Sequence, residues 1–229
     1  MSKQSQRIGS EQRVRLACRL EAALADVGGA PCAGESVLFA ELVERYAQPQ
    51  RHYHTLVHVD ACLTWLDWFA GSAEPQSERD GRAERAEIEL ALWFHDVVYD
   101  PQCTDNEQAS AELARSHLVA AGVRAPSIAR VVDHVLATRS HTAETNAAAL
   151  VIDVDLAILA ASPGEYACFE QQIRSEYLYV PEQLYRQARA AVLREFLARP
   201  RIYHTLSVRE LLEQRARHNL EQAIVRLGQ

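Results

Sequence analysis

Three things are missing from this 229-residue chain: paired cysteines, long apolar runs and an excess of positive charge. The five cysteines (Cys18, Cys32, Cys62, Cys103, Cys168) are scattered, odd in number and form no CxxC. That excludes a disulfide framework and reads as reduced, mostly buried thiols in the cytoplasm. No stretch approaches the roughly 18 apolar residues of a membrane span. Residues 1–13 are polar without an apolar core, so no signal peptide is expected. The formal net charge is −7, which argues against a broad nucleic-acid or acidic-membrane surface and leaves room only for a local basic groove. Low-complexity tracts and linkers are also absent, so residues 1–229 read as one domain.

What is present is an ordinary globular composition, 48% hydrophobic and 24% charged, patterned with a helical period. Helices are expected over 12–27, closed by Gly28-Gly29, and over 35–47, closed by Pro49. Another is expected from His54 to about residue 70, with Leu56, Val59, Leu63, Leu66 and Phe69 as its apolar stripe. Polar loops are expected at 30–34 and 71–80, and a helix from 81 to about 94. Further helices are expected over 105–121, with Asp105 as N-cap and Gly122 as terminator, and over 125–139. The β-branched run within 147–161 suits a strand taken alone; its helical neighbours favour a helix. The chain then reads as helices over 163–179 and 181–197. A last one over 207–227 has Ser207 and Glu210 as a capping box. The whole is all-α, with about ten helices. Arg201-Ile202-Tyr203-His204-Thr205-Leu206 echoes Arg51-His52-Tyr53-His54-Thr55-Leu56, but the flanking sequences differ and the echo reads as chance.

The chemistry concentrates in a few polar residues set in apolar surroundings. His95 and Asp96 end the run 88–94 side by side. Neighbours on a helix point about 100° apart, so both reach one ion only from above it or at a fraying helix end. Upstream, His54 and His58 are four apart, which places them on one face of a helix. Downstream, Asp153 and Asp155 lie in an apolar helix. Singly, a histidine is more often a hydrogen-bonded packing residue and an aspartate a helix cap. Together they make a nitrogen–oxygen donor set that suits Zn, Mn, Fe, Co or Ni rather than calcium.

These residues carry a resemblance. Arg51-x-Tyr53-His54-x-x-x-His58, Phe94-His95-Asp96 and Val154-Asp155-Leu156 resemble the H…HD…D pattern of the HD-domain phosphohydrolase superfamily. Tyr53-His54-Thr55-Leu56-Val57-His58 is similar to a motif of the cyclic-nucleotide phosphodiesterases within it. The chain looks most like a bacterial group of uncharacterised metal-dependent HD phosphohydrolases. That likeness is carried by Trp93 to Tyr99, Asp105-Asn106-Glu107-x-x-Ser110-Ala111, Asp153-x-Asp155-Leu156 and Arg174-x-Glu176-Tyr177.

The resemblance implies an HD-like core over about 45–200, with metal ligands His58, His95, Asp96 and Asp155 and Asp96 placed to bridge to a second ion, which Mg suits. It gives His54 the part of general acid. A shorter bacterial version of the pattern exchanges His54 and His58, and Asp153 rivals Asp155 or stands behind it. The implied activity is hydrolysis of a phosphomonoester or phosphodiester, such as a nucleotide, by metal-activated water. Arg51, Arg139 and Arg174 are candidates for holding the phosphate. Asn106 and Glu107 either line the pocket or cap a helix. Thr138 and His141 are placed facing the cavity, with His141 a candidate ligand for a second metal. The small-molecule phosphoester is the expected partner, with no membrane or nucleic acid. Two alternatives stand beside this: a di-iron oxygenase, which needs more histidines and has only His134 and His141 to offer, and a non-catalytic metal-stabilised binding or sensor protein.

Overall fold

The computed structural model describes residues 8–30, 37–70 and 78–229. Among these residues there are ten α-helices, one 3-10 helix and no strand. They are α1 (Ser10–Asp26), α2 (Val37–Tyr46), α3 (Leu56–Ala70), α4 (Glu78–Phe94), α5 (Asn106–Ala120), α6 (Ala125–Ser140) and α7 (Asn146–Asp155). The 3-10 helix Leu156–Ala160 follows, then α8 (Pro163–Glu176), α9 (Glu182–Ala198) and α10 (Leu206–Leu227). The expected loops at 30–34 and 71–80 fall largely outside the described residues, and the described part of the second, from Glu78, is already helix. No single helix among the described residues is long and apolar enough to cross a membrane.

The second half of α4 is the axis of the core. Leu90, Ala91, Leu92, Trp93 and Phe94 are wholly buried, so every face of this stretch has a neighbour. Those neighbours are α1, α3, α5, α6 and α7. Polar ties fix the packing at the rim. Arg19 on α1 bonds Glu89 at 2.8 Å and Asp67 on α3 at 2.7 Å. Glu87 pairs with Arg130 on α6 at 2.6 Å, and the Tyr46 hydroxyl donates to the Trp93 carbonyl at 2.9 Å.

The helix ends follow their local chemistry. After α1, Gly28 takes φ +89° while Gly29 N–H donates back to Leu24 O at 2.8 Å, a chain reversal that favours a residue without Cβ. Gly122 (φ +76°) does the same after α5. The run 147–161 is helical: Val151, Ile152 and Val154 are buried, and packing against α4 and α6 overrides their strand preference.

Three expectations need correction. The thiols are not mostly buried: among the described cysteines Cys62 is buried, Cys168 half-buried, and Cys18 and Cys103 exposed. Helix α3 begins at Leu56, so His54 lies in the bent segment before it. Helix α10 begins at Leu206 after Thr205, without the Ser207–Glu210 box; the box that forms is Ser162–Glu165, opening α8. A buried carboxylate takes over at α10: Asp153 accepts from His204 N–H at 2.7 Å and Thr205 N–H at 2.6 Å. Glu213 accepts from the N–H groups of Ile202 and Tyr203. The echoed hexapeptides thus share a local role. Each leads into a helix, α3 or α10, and each has its N–H row held by remote carboxylates, Glu176 in the first case.

Candidate metal centre

Three elements deliver the site. His95 and Asp96 form the turn just after α4, where the chain leaves helical geometry and both side chains can swing to one point. His58 comes from the first turn of α3, and Asp155 from the last residue of α7, where the α-helix tightens into the 3-10 helix.

Their donor atoms converge. His58 Nε2 lies 3.1 Å from His95 Nε2, 3.1 Å from Asp155 Oδ1 and 3.7 Å from Asp96 Oδ2. His95 Nε2 lies 3.0 Å from Asp96 Oδ2 and 3.5 Å from Asp155 Oδ1. Donors about 2.1 Å from a common ion stand about 3.0–3.4 Å from one another, depending on whether the geometry is octahedral or tetrahedral. The five separations bracket that range. The His95 ring is also aimed: Nδ1 stands 3.0 Å from the Leu92 carbonyl, to which it donates, leaving Nε2 toward the group. Of the four residues, His58, His95 and Asp96 form a group that can hold a metal ion, with Asp155 reaching it through His58 and His95.

Burial is asymmetric. The His58 and His95 side chains are 3% and 1% exposed, while Asp96 and Asp155 are 19% and 17% exposed. The group opens on its carboxylate side. Burial alone would push both carboxyls up, but His95, with His54 acting on Asp96 and His58 on Asp155, holds each well below the usual carboxylate range. Burial opposes the charged form of His95, and Asp96 and Asp155 nevertheless raise it well above the ordinary value. Two ionised carboxylates in a buried pocket demand positive charge, supplied by protons on the histidines or by a cation in their place.

His54 is not part of this group, but it stands beside it, its ring centroid 6.1 Å from that of His58. Glu176, fully buried at its side chain, holds His54 Nδ1 at 2.6 Å. The other Glu176 oxygen accepts from the N–H groups of His52, Tyr53 and His54 at 2.7–3.0 Å. Tyr99 stacks on the His54 ring at 4.2 Å and donates its hydroxyl to Glu176 at 2.9 Å. Burial disfavours the His54 cation, but Asp96, Glu176 and Asp155 together raise its pKa. Burial works against the Glu176 charge as well; its bonds to His54 and to the backbone bring it down to about 2.

Other expected site residues have other work. Arg51 is buried, and its guanidinium bonds the carbonyls of His54 (3.0 Å), Asp96 (2.7 Å) and Val97 (2.9 Å), so it clamps the site's two loops together instead of facing a phosphate. Arg174 spends its donors on Tyr177 O, Val180 O and Glu182, closing the α8–α9 turn. Asn106 ties Asp100, accepting from its N–H at 3.0 Å and donating to its carbonyl at 2.9 Å. Thr138 bonds the Val135 carbonyl. Glu107 is half-buried on the first turn of α5, and Arg139 is exposed on the last turn of α6. Asp153 faces the start of α10, which separates it from Asp155 as a ligand. His134 feels Glu87, Asp133 and Arg130 rather than the site carboxylates, while His141 lies in the field of Asp155 and Asp96.

Sequence reasoning missed Glu176 as the partner of His54, and also Cys62. The buried Cys62 thiol lies 3.7 Å from both ring nitrogens of His58. It belongs to a second possible donor group with His58 and Asp155. Equal distance to both nitrogens places the sulfur over the ring, off the Nε2 lone-pair direction. Its i+4 spacing from His58 was the available signal.

Fold and site together define an all-helical protein with a buried histidine–aspartate group able to hold a metal ion. Comparison with family models, with curated proteins and with solved structures finds no match.

Proposed function

We propose that the protein is a metal-dependent phosphohydrolase of the HD type, cleaving a phosphomonoester or phosphodiester, nucleotides among them. The supporting observation is that the Nε2 atoms of His58 and His95 lie 3.0–3.7 Å from each other and from oxygens of Asp96 and Asp155, with His54 next to them. These four residues would hold a divalent ion, which would supply a bound water with its pKa lowered from 15.7 toward about 7 and would offset charge on a phosphoryl oxygen. His54 supplies the proton for the leaving alkoxide. Asp96 and the Glu176 bond on Nδ1 raise the pKa of the imidazole, and that bond leaves Nε2 for the leaving oxygen. Tyr99 and the Glu176 bonds to three successive N–H groups prevent the ring from turning away. Arg51 holds the His54 and Asp96 backbones at a fixed separation.

The test is a phosphoester panel against apo-protein reloaded separately with Zn, Mn, Fe or Co. Hydrolysis with at least one metal is expected. His54→Asn is expected to keep the metal and lose about 10²–10⁴-fold in rate on alkyl esters. It loses far less on nitrophenyl esters, whose leaving group needs no proton. No hydrolysis with any metal rejects the proposal.

A further inference from the structure

The metal centre has a neighbour that the chemistry above does not use. Cys62 lies one turn beyond His58 on α3, 1% exposed, with its Sγ 3.7 Å from His58 Nε2. The same Nε2 stands 3.1 Å from Asp155 Oδ1, and the donor atoms of His58, Cys62 and Asp155 all fall within 4.8 Å of one another. Bonds of about 2.3 Å to sulfur and about 2.1 Å to nitrogen, the zinc values, hold two donors of a tetrahedral ion about 3.6 Å apart, and a larger ion widens that span. Sγ stands at this separation from above the ring, so a turn of the Cys62 side chain toward the Nε2 lone pair completes a three-donor set.

The two sets differ in chemistry and share an atom. His58, His95 and Asp96 offer only nitrogen and oxygen, which suit Mn²⁺. The second set puts a thiol in place of an imidazole, and sulfur favours a soft, polarisable cation. Its charge also closes, because a thiolate and the Asp155 carboxylate balance one divalent ion while His58 binds as the neutral ring. Burial, Asp155 and Asp96 keep the thiol protonated until a cation offsets them. The ion then takes the place of the thiol proton, which leaves to water. His58 Nε2 has one lone pair, and it faces His95 Nε2 at 3.1 Å as well as Asp155. An ion held by one set therefore takes His58 from the other.

We propose that His58, Cys62 and Asp155 form a second site for a soft divalent cation, and that filling it expels the ion held through His95 and Asp96. The inference stands apart from the hydrolytic reading; where that reading holds, the soft cation is an inhibitor. The test uses the full chain with Cys18, Cys32, Cys103 and Cys168 replaced by serine, which leaves Cys62 as the one thiol. Its Mn²⁺ uptake, followed by electron paramagnetic resonance, is matched to the wild type. Cd²⁺ is then added to the Mn²⁺-loaded protein while ultraviolet absorption and released Mn²⁺ are recorded. Sulfur-to-cadmium charge-transfer absorption is expected to grow in step with Mn²⁺ release. Cys62→Ser and Cys62→Ala are expected to keep Mn²⁺, to lose the absorption and to need at least about 10-fold more Cd²⁺ for the release. His95→Ala is expected to lose Mn²⁺ and keep the absorption. Mn²⁺ release by Cd²⁺ without the absorption, absorption while Mn²⁺ stays bound, or loss of the absorption in His95→Ala overturns the proposal.

Discussion

Glu176 Oε2 stands 2.6 Å from His54 Nδ1, across 122 positions of sequence. The same carboxylate gathers the N–H groups that lead into α3 and the hydroxyl of Tyr99. One buried acid therefore sets the position of the loop and the charge of the proposed proton donor.

Glu176→Gln keeps the shape and removes the charge. The variant is expected to lose about 3 kcal/mol of stability, read from the denaturant midpoint at constant m-value. A loss under about 0.5 kcal/mol contradicts the role given to this carboxylate.

The same pair sets a pH window. The Glu176 pKa falls from 4.5 to about 2 on folding, so its stabilisation is complete above 4.5 and fades as pH drops through about 2. The His54 pKa rises above 6.5 on folding, so its share is complete below 6.5 and fades as pH climbs through the raised value. The stability difference between wild type and Glu176→Gln is therefore expected to peak between 4.5 and 6.5. At alkaline pH it shrinks without vanishing, because the backbone N–H bonds to Glu176 persist. A difference that is flat with pH contradicts the pairing.

Arg51→Met strips three carbonyls of their donor. The expected cost is about 2–4 kcal/mol. Where the variant remains folded, its affinity for inorganic phosphate is expected to match the wild type in the metal-loaded form. Full stability with lost phosphate affinity returns Arg51 to the phosphate-holding role that its place in the motif suggests.

Asp153 and Asp155 separate cleanly. Asp153→Ala is expected to lower stability by about 1–2 kcal/mol through the uncapped start of α10 while metal binding persists. Asp155→Ala is expected to abolish tight metal binding and also to lower apo stability, since His95 and His58 hold its carboxyl well below the usual carboxylate range. Thermal melts with and without added metal distinguish the two.

How much of this was legible in the sequence depends on the range of each interaction. The helices were, because a 3.6-residue apolar period is local. His95-Asp96 was, because an adjacent ligand pair at a helix end is a local oddity. His58 and Asp155 could be named only with His54 and Asp153 as rivals. Sequence spacing cannot tell that Glu176 claims His54 or that the start of α10 claims Asp153. Both hydrogen bonds come from partners more than 50 positions away, 122 for His54 and 51 for the His204 N–H. The carbonyl bonds of Arg51 were hidden for the same reason: a motif arginine looks alike whether it meets a phosphate or three carbonyls. The shared role of the two hexapeptides was hidden because different acids hold them, one from α8 and the others from α7 and α10.

The most direct test of the central claim is the metal content of the protein after equilibration with limiting Zn²⁺ or Mn²⁺ and removal of free ion, compared with His95→Ala. The His58–His95–Asp96–Asp155 group predicts at least one tightly held ion per wild-type chain and a near-complete loss in the variant. No retained ion in the wild type, or undiminished metal in His95→Ala, contradicts it.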